Sequence, residues 1–350
     1  MFTVLLIAVL AASLSCALIL ATNRWHLRYT GDATNDAVQK LHSNVVPRIG
    51  GIGIFVGLLL GTLAIASINK QLTLTLLLLI ACFAPVYLTG FAEDITKQVS
   101  PTSRYIAAAL SGLLVSTATD LRITQVDVWG ADALLTIPVI GILFFVFAVA
   151  SVSHAFNLID GQNGLCAGIT VICCVAIAWQ SHLYNLNTPM ALAALCAAAN
   201  LGFLLFNFPL GKIFLGDAGA YLNGSVVAVT TVQLIQGSGE LSPWYAVALL
   251  VYPIWETLFS MWRRIQAGRS FSEPDLEHLH SLYYKSLRDK QNFGLWARSS
   301  APALWVLSAI FIGAATLVAH STALCIAVVM TFCASYVLLY KHAQRTHSAV

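Results

Sequence analysis

Apolar residues run through this chain in long blocks separated by short polar stretches. Blocks long enough to cross a bilayer, or nearly so, fall at about residues 2–22, 49–68, 71–91, 105–119, 134–152, 164–180, 189–206, 217–236, 243–262, 301–319 and 322–340. A spanning helix needs about 20 apolar residues, so the pattern predicts eleven transmembrane helices, the shorter ones completed by flanking residues. The expected fold class is an all-α polytopic membrane protein forming a single transmembrane domain over residues 1–350. Phe2–Thr22 has the length of a span and no small-residue cleavage site, and reads as a helix rather than a signal peptide.

Charge then orients the pattern. With the first loop, 23–48, placed in the cytoplasm and the remaining loops alternating, sixteen of the 18 Lys and Arg residues fall on the cytoplasmic side. Lys70 and Arg122 alone fall on the other. This positive-inside asymmetry puts the N-terminus in the periplasm and the C-terminus in the cytoplasm. It also supports eleven spans, because dropping one helix scrambles the split. Most carboxylates follow, among them Glu93, Asp94, Asp160 and Asp217, while the short external loops carry Asp120, Asp127, Asp132 and Glu240. Chemistry is therefore expected at a face built from loops 23–48, 92–104, 153–164, 207–217 and 263–300.

Composition agrees. The 350 residues are 58% hydrophobic and 9% charged, against roughly 25% charged in a soluble domain, and mean hydropathy is +0.80. The eight cysteines lie in or beside apolar runs without zinc-ligand spacing, and read as small packing residues.

Five polar segments interrupt the apolar blocks on the cytoplasmic side. Val46-Pro-Arg-Ile-Gly-Gly-Ile-Gly supplies Arg48 for a phosphate, though its glycines also suit tight helix packing. Glu93 and Asp94 end an apolar helix, where a hard cation such as magnesium would offset two adjacent charges. Lys97 and Arg104 follow as candidate phosphate contacts, the competing reading being a solvated helix end. Asn157, Asp160 and Asn163 recur at three-residue spacing, which on a helical turn places them near one face. Gly161 and Gly164 would let that backbone turn tightly and approach a ligand; an ordinary Asn/Asp/Gly loop is the alternative. Asp217, in Phe-Leu-Gly-Asp-Ala-Gly, sits at a helix start either as an N-cap or with Gly216, Ala218 and Gly219 clearing space around it. His278 and His280 lack a third zinc ligand and read as substrate contacts. Glu256 lies inside the ninth run and is read as outside the site, either paired with a cation of a neighbouring helix or purely structural. Metal-holding acids, phosphate-holding bases and a membrane boundary on one face suit phosphoryl-type transfer from a soluble donor to a lipid acceptor.

In order, Pro47-Arg-Ile-Gly-Gly, Glu93-Asp94, Asn157-Leu-Ile-Asp-Gly-Gln-Asn-Gly-Leu165, Phe214-Leu-Gly-Asp-Ala-Gly219 and His278-Leu-His280 resemble the polyprenyl-phosphate N-acetylhexosamine-1-phosphate transferases of glycosyltransferase family 4. The resemblance runs from about residue 40 to 285. It implies a bacterial inner-membrane enzyme whose active site faces the cytoplasm. Such an enzyme passes N-acetylhexosamine 1-phosphate from a UDP-sugar to undecaprenyl phosphate and releases UMP, with Mg2+ or Mn2+ as cofactor. Matched position by position, Asp217 corresponds to a metal-binding aspartate, with Asp94 beside it. Glu93 and Asp94 match a paired acidic motif implicated in metal handling or in activating the lipid phosphate, and with Asp217 are the expected catalytic residues. Asn157, Asp160 and Asn163 match a nucleotide and diphosphate pocket, and His278 and His280 a donor-contacting motif.

Glu93 stands where the family usually has Asp, Asn163 where it often has Asp, and Ser281 where a further His is common. These departures favour the branch that starts O-antigen, lipopolysaccharide or other surface polysaccharides over the phospho-N-acetylmuramoyl-pentapeptide transferases of peptidoglycan synthesis. A membrane transporter is the rival from another class; polar residues clustered at one face, without an inverted repeat, argue against it. Loop 263–300 is expected to select the sugar. The sequence leaves open the sugar, the one-step or two-step course, and the oligomeric state, a homodimer included.

Overall fold

A computed structural model describes residues 1–32, 45–268, 277–288 and 299–348. Parts of loops 23–48 and 263–300, including Asp36 and Pro274-Asp275 of the fifth polar segment, lie outside the described residues. The chain folds into sixteen helices among those residues. In order they are α1 (Phe2–Ala21), α2 (Asn23–Thr30), α3 (Gly51–Ile65), α4 (Lys70–Cys82), α5 (Ala84–Thr96), α6 (Pro101–Thr119), α7 (Ala131–Leu135), α8 (Pro138–Leu158), α9 (Leu165–Leu183), α10 (Asn187–Asn207), α11 (Gly216–Ser238), α12 (Pro243–Leu249), α13 (Val251–Gln266), α14 (Leu279–Arg288), α15 (Ala301–Leu317) and α16 (Thr322–Ser348). Between α2 and α3, β1 (Gly31–Asp32) and β2 (Val46–Pro47) form a two-residue antiparallel ladder, a small addition to the expected all-α fold.

Each of the eleven apolar runs falls on one of these helices or on a bent pair. Six helices are long and apolar enough to cross a membrane, and eight if each bent pair is one span. Helices α3 and α15 fall short in length, and α6, whose first turn carries Ser103 and Arg104, in apolarity. The protein is thus a multi-span α-helical membrane protein; eleven spans remains the reading of the sequence. The bends have local causes. Helix α5 leaves α4 at 47° beside Pro85, and α13 leaves α12 at 75° just before Pro253. In both places proline lacks the N–H that would continue the hydrogen-bond ladder.

Helix α11 is the centre of the bundle. Of its spanning window 83% is buried, against 33% for α1 and 22% for α16. It packs on α3, α5, α8, α9 and α10, and its Gly, Ala, Ser and Thr residues let those backbones come close. Gly224 faces the backbone of Ser153 on α8, and Ser153 and Ser225 share a hydroxyl contact of 2.8 Å. Deeper in the bundle, the fully buried Asn200 (α10) and Asn223 (α11) pair by their amides: Asn200 Nδ2 donates to Asn223 Oδ1 at 2.9 Å and Asn223 Nδ2 to Asn200 Oδ1 at 2.8 Å. Where lipid offers no water, reciprocal satisfaction of this kind holds two helices in one rotational register. All eight cysteines are free thiols, as their packing role requires.

Three of the carboxylates expected on the external side are used in loop structure. Asp132 accepts from Val126 N–H at 2.7 Å, Asp127 from the Thr322 hydroxyl at 2.5 Å, and Asp120 is the left-handed residue that ends α6.

Candidate active site

The start of α11 gathers the site. Phe214 N–H donates to Pro47 O at 2.9 Å, and Gly50 N–H and Gly51 N–H donate to Phe214 O and Leu215 O at 2.9 and 2.8 Å. This threads the first polar segment along the fourth. Arg48 N–H in turn donates to Thr30 O at 2.9 Å, so the β1–β2 ladder holds the arginine's backbone. Gly216 takes φ of +74°, a left-handed conformation in which a side chain would also strike Arg48 O and the Asp94 carboxylate. Only glycine fits there.

The small residues around Asp217 close the helix start against its neighbours instead of clearing room for a ligand. A Cβ on Gly90 of α5 would lie 2.7 Å from Ala218 N, and Gly51 of α3 packs on Gly219. Nor is Asp217 the N-cap: Leu215 holds that position, and Asp217 lies in the first turn. The cap comes from another helix. Asp94, fully buried on α5, accepts from Asp217 N–H at 2.7 Å through Oδ1 and from Ala218 N–H at 3.0 Å through Oδ2. It satisfies two of the orphan N–H groups of α11 and places an anion at the positive end of the helix.

Asp217 is clamped by two guanidiniums. Arg48 Nη2 donates to Oδ1 at 2.8 Å, and Arg104 Nη1 pairs with Oδ2; Arg48 Nε also lies 3.4 Å from Asp94 Oδ1. Arg104 reaches this point because Ser100 caps α6, accepting from Ser103 N–H, and Pro101 starts the first turn. Its guanidinium lies 5.9 Å from the ring of Tyr221, whose hydroxyl meets His154 Nδ1 at 2.8 Å. Two carboxylates and two guanidiniums from three of the polar segments thus form a formally neutral quartet, which is how charge survives burial.

Glu93 and Asp94 do not act as a pair at one point. Successive helix residues point about 100° apart, and Glu93 turns to accept from Val99 N–H at 2.7 Å, shaping the loop before α6. Lys97 takes the left-handed conformation that ends α5, and its Nζ donates to Gly31 O at 2.6 Å, tying that loop to β1.

The third segment also departs from the expected helical face. Helix α8 stops at Leu158, so Asn157 lies in its last turn while Asp160 and Asn163 lie in the turn that follows. Gly164, with φ of +80°, makes the bend into α9. Asp160 keeps one edge toward solvent, but desolvation pushes its carboxyl well above the usual carboxylate range; Arg48 opposes this and Asp94 adds to it. Asp160 is thus within electrostatic reach of Arg48 and Asp94. Gly161 serves a protein contact: His280 Nε2 sits where its side chain would be. His280 is held there by Gln162, whose Nε2 donates to His280 O at 2.6 Å and whose Oε1 accepts from the Ser300 hydroxyl. His278 stacks parallel to His280 with ring centroids 5.2 Å apart. Asn207 joins the third and fourth segments, accepting from Gly164 N–H at 2.5 Å and donating to Ile213 O at 2.8 Å.

All five polar segments therefore meet at one end of the bundle. Arg48, Asp94, Arg104 and Asp217 make direct contact, Asp160 is within electrostatic reach of two of them, and His280, with His278 stacked on it, docks on the turn that carries Asp160. Gln162, Asn207, Tyr221 and His154 were not singled out in the sequence, although His154 and Gln162 lie in loop 153–164, Asn207 begins loop 207–217 and Tyr221 follows it. Among the described residues no three His, Cys, Asp or Glu side chains converge as a ready metal cage. Asp94 and Asp217 are the carboxylates at this point, the donor type that a hard ion such as Mg2+ would take in ones or twos beside substrate phosphates and water, once Asp217 is released from its arginines.

Residues 76–235, which include the acidic pair, the Asn-Leu-Ile-Asp-Gly turn and Asp217, match glycosyl transferase family 4. The chain is 28% identical over 282 residues to a probable undecaprenyl-phosphate N-acetylglucosaminyl 1-phosphate transferase of Bacillus subtilis, covering 78% of this chain and 73% of the relative. An undecaprenyl-phosphate alpha-N-acetylglucosaminyl 1-phosphate transferase of Thermotoga maritima is 27% identical over 249 residues, 71% of this chain and 72% of its own. A decaprenyl-phosphate N-acetylglucosaminephosphotransferase of Mycobacterium tuberculosis is 28% identical over 268 residues, 69% and 66% of the two chains. With its motifs meeting in order around the start of α11, the chain is similar to polyprenyl-phosphate N-acetylglucosaminyl 1-phosphate transferases, and its residues 76–235 to glycosyl transferase family 4.

Proposed function

We propose that this protein transfers N-acetylhexosamine 1-phosphate from a UDP-N-acetylhexosamine to undecaprenyl phosphate, giving a lipid-linked diphosphate sugar and UMP. The reaction would take place at the cytoplasmic face of a bacterial inner membrane, at the start of O-antigen or another surface polysaccharide. N-acetylglucosamine, the sugar in the relatives' names, is the first donor to try. The observation that carries this reading is the quartet: Asp217 held at the first turn of α11 between Arg48 and Arg104, with Asp94 capping the helix.

The roles follow from that geometry. Asp217 and Asp94 would hold Mg2+, which when bound offsets charge on the diphosphate. Arg48 and Arg104 are partly accessible, with side chains 23% and 13% exposed, and can turn from Asp217 to phosphate oxygens, which their forked donors suit. Asn157, Asp160 and Asn163 line the nucleotide side, and His278 and His280 face the donor phosphates. Glu93 and Lys97 support the site by shaping the loop that delivers Arg104.

The test is UMP release by purified protein given undecaprenyl phosphate and a panel of UDP-N-acetylhexosamines, with Mg2+ or with chelator. The expected result is UMP that depends on lipid, falls with chelator and comes from one donor. Folded protein releasing none from any donor would refute the reading.

A further inference from the structure

Glu256 is a buried acid inside α13, only 1% exposed, and the chemistry above does not use it. Three donors close on its carboxylate. His278 Nδ1 lies 2.9 Å from Oε1, Leu279 N–H donates to Oε1 at 3.3 Å, and the Tyr336 hydroxyl of α16 donates to Oε2 at 2.7 Å. A carboxylate so surrounded is ionised and only accepts, so Nδ1 is the nitrogen that carries hydrogen. His278 is itself 8% exposed and stacked on His280, which sits on the turn beside Asp160.

We propose that Glu256 is a positioning residue for His278. Braced by Tyr336 and Leu279 N–H, it fixes the tautomer and tilt of the ring, so that His278 acts on an anionic substrate oxygen through Nε2. The arrangement follows the general rule that a carboxylate behind an imidazole sets which nitrogen faces the reaction and stabilises the imidazolium. It rests on the transferase reading, because the substrate oxygen is taken to be a donor phosphate's. The brace joins the consecutive α13 and α14 to the later α16 at the histidine motif.

Glu256→Gln keeps an acceptor for Leu279 N–H and a polar partner for Tyr336, so the fold is retained while the negative charge is lost. Turnover should fall about 10–100-fold, the usual effect of removing such an outer partner, with KM for the UDP-sugar changed less than about threefold and Glu256→Asp restoring part of the rate. Because Glu256 acts through His278, adding Glu256→Gln to His278→Gln should cost under about twofold more. Losses that multiply, or a Glu256→Gln enzyme within about twofold of wild type, would overturn the proposal. A second arm needs no turnover: nitrogen-15 spectra of histidine-labelled protein in detergent, with His278→Gln identifying the signals, should show hydrogen on Nδ1 of His278. A bare Nδ1 would overturn the proposal even in an active enzyme. If wild-type protein releases no UMP, the transferase reading falls, and this arm still decides whether Glu256 sets the ring.

Discussion

Asp94→Asn removes one charge and one acceptor from the start of α11 and leaves the side chain's size unchanged. Asp94 serves two backbone N–H groups, those of Asp217 and Ala218. An amide has a single oxygen, so one of these donors would face an NH2 group. Losing a charge-assisted hydrogen bond at a buried site costs about 1.5–3 kcal/mol. Removing the anion from the helix N-terminus adds about 0.3–1 kcal/mol. Arg48 approaches Asp94 only to 3.4 Å and is 23% exposed, so its screened attraction contributes less than about 1 kcal/mol. The total is about 3 kcal/mol. At about 2.1 cal/mol/K of unfolding entropy per residue, a chain of 350 residues should lose about 4 °C in melting midpoint. Tryptophan fluorescence on heating in detergent measures this, with turnover assayed alongside, and both should fall. Glu93→Gln is the control: Glu93 is half-buried and holds Val99 N–H alone, so its midpoint should move by less than about 1 °C, in line with a single neutral-for-charged exchange near the surface. An Asp94→Asn protein that melts with wild type, or a larger drop for Glu93→Gln, would refute the capping argument.

Asp217→Asn leaves Arg48 and Arg104 without the carboxylate that pairs them, so the melting midpoint should fall, breaking a buried pair costing about 3–5 kcal/mol. UMP release from protein still folded at the assay temperature should fall at least about 100-fold, the scale for removing a group that acts on transition-state charge. Arg104→Lys replaces a fork that pairs with Asp217 and lies over Tyr221 by a point charge, and turnover measured at saturating donor should fall about 10-fold or more. Gly161→Ala drives a methyl into His280, and the displacement should cost about 1–3 kcal/mol, read as lost turnover in protein whose circular dichroism is unchanged. Glu93→Asp should keep activity within about threefold, since the shorter acid still reaches a loop N–H.

The bundle was legible because hydrocarbon leaves the backbone one local solution, and each apolar run became a helix or a bent pair. Span number was less so: α3 and α15 show that an apolar run and a helix of spanning length are different quantities. The bends were readable from Pro85 and Pro253, though not their angles. The polar segments announced a common face, and Arg48, Arg104 and Asp217 do meet. What stayed hidden were partners set by packing. A helix cap is expected from the residue just before the helix, yet α11 takes its cap from Asp94, 123 residues earlier. The acidic pair looked like one site, and helix geometry sends its members to different neighbours. Gly161 looked made for a ligand and instead seats His280, and Glu256 gave no sign of reaching both His278 and Tyr336.

The paired amides of Asn200 and Asn223 tie two distant positions into one heritable unit. Replacing either alone strands the other amide in a dry helix interface, at about 1–3 kcal/mol, whereas apolar residues at both positions can be nearly neutral. A library of single changes would therefore score each site as intolerant. A library that varies the two together would find apolar combinations that fold, and the intolerance would be traced to the pairing.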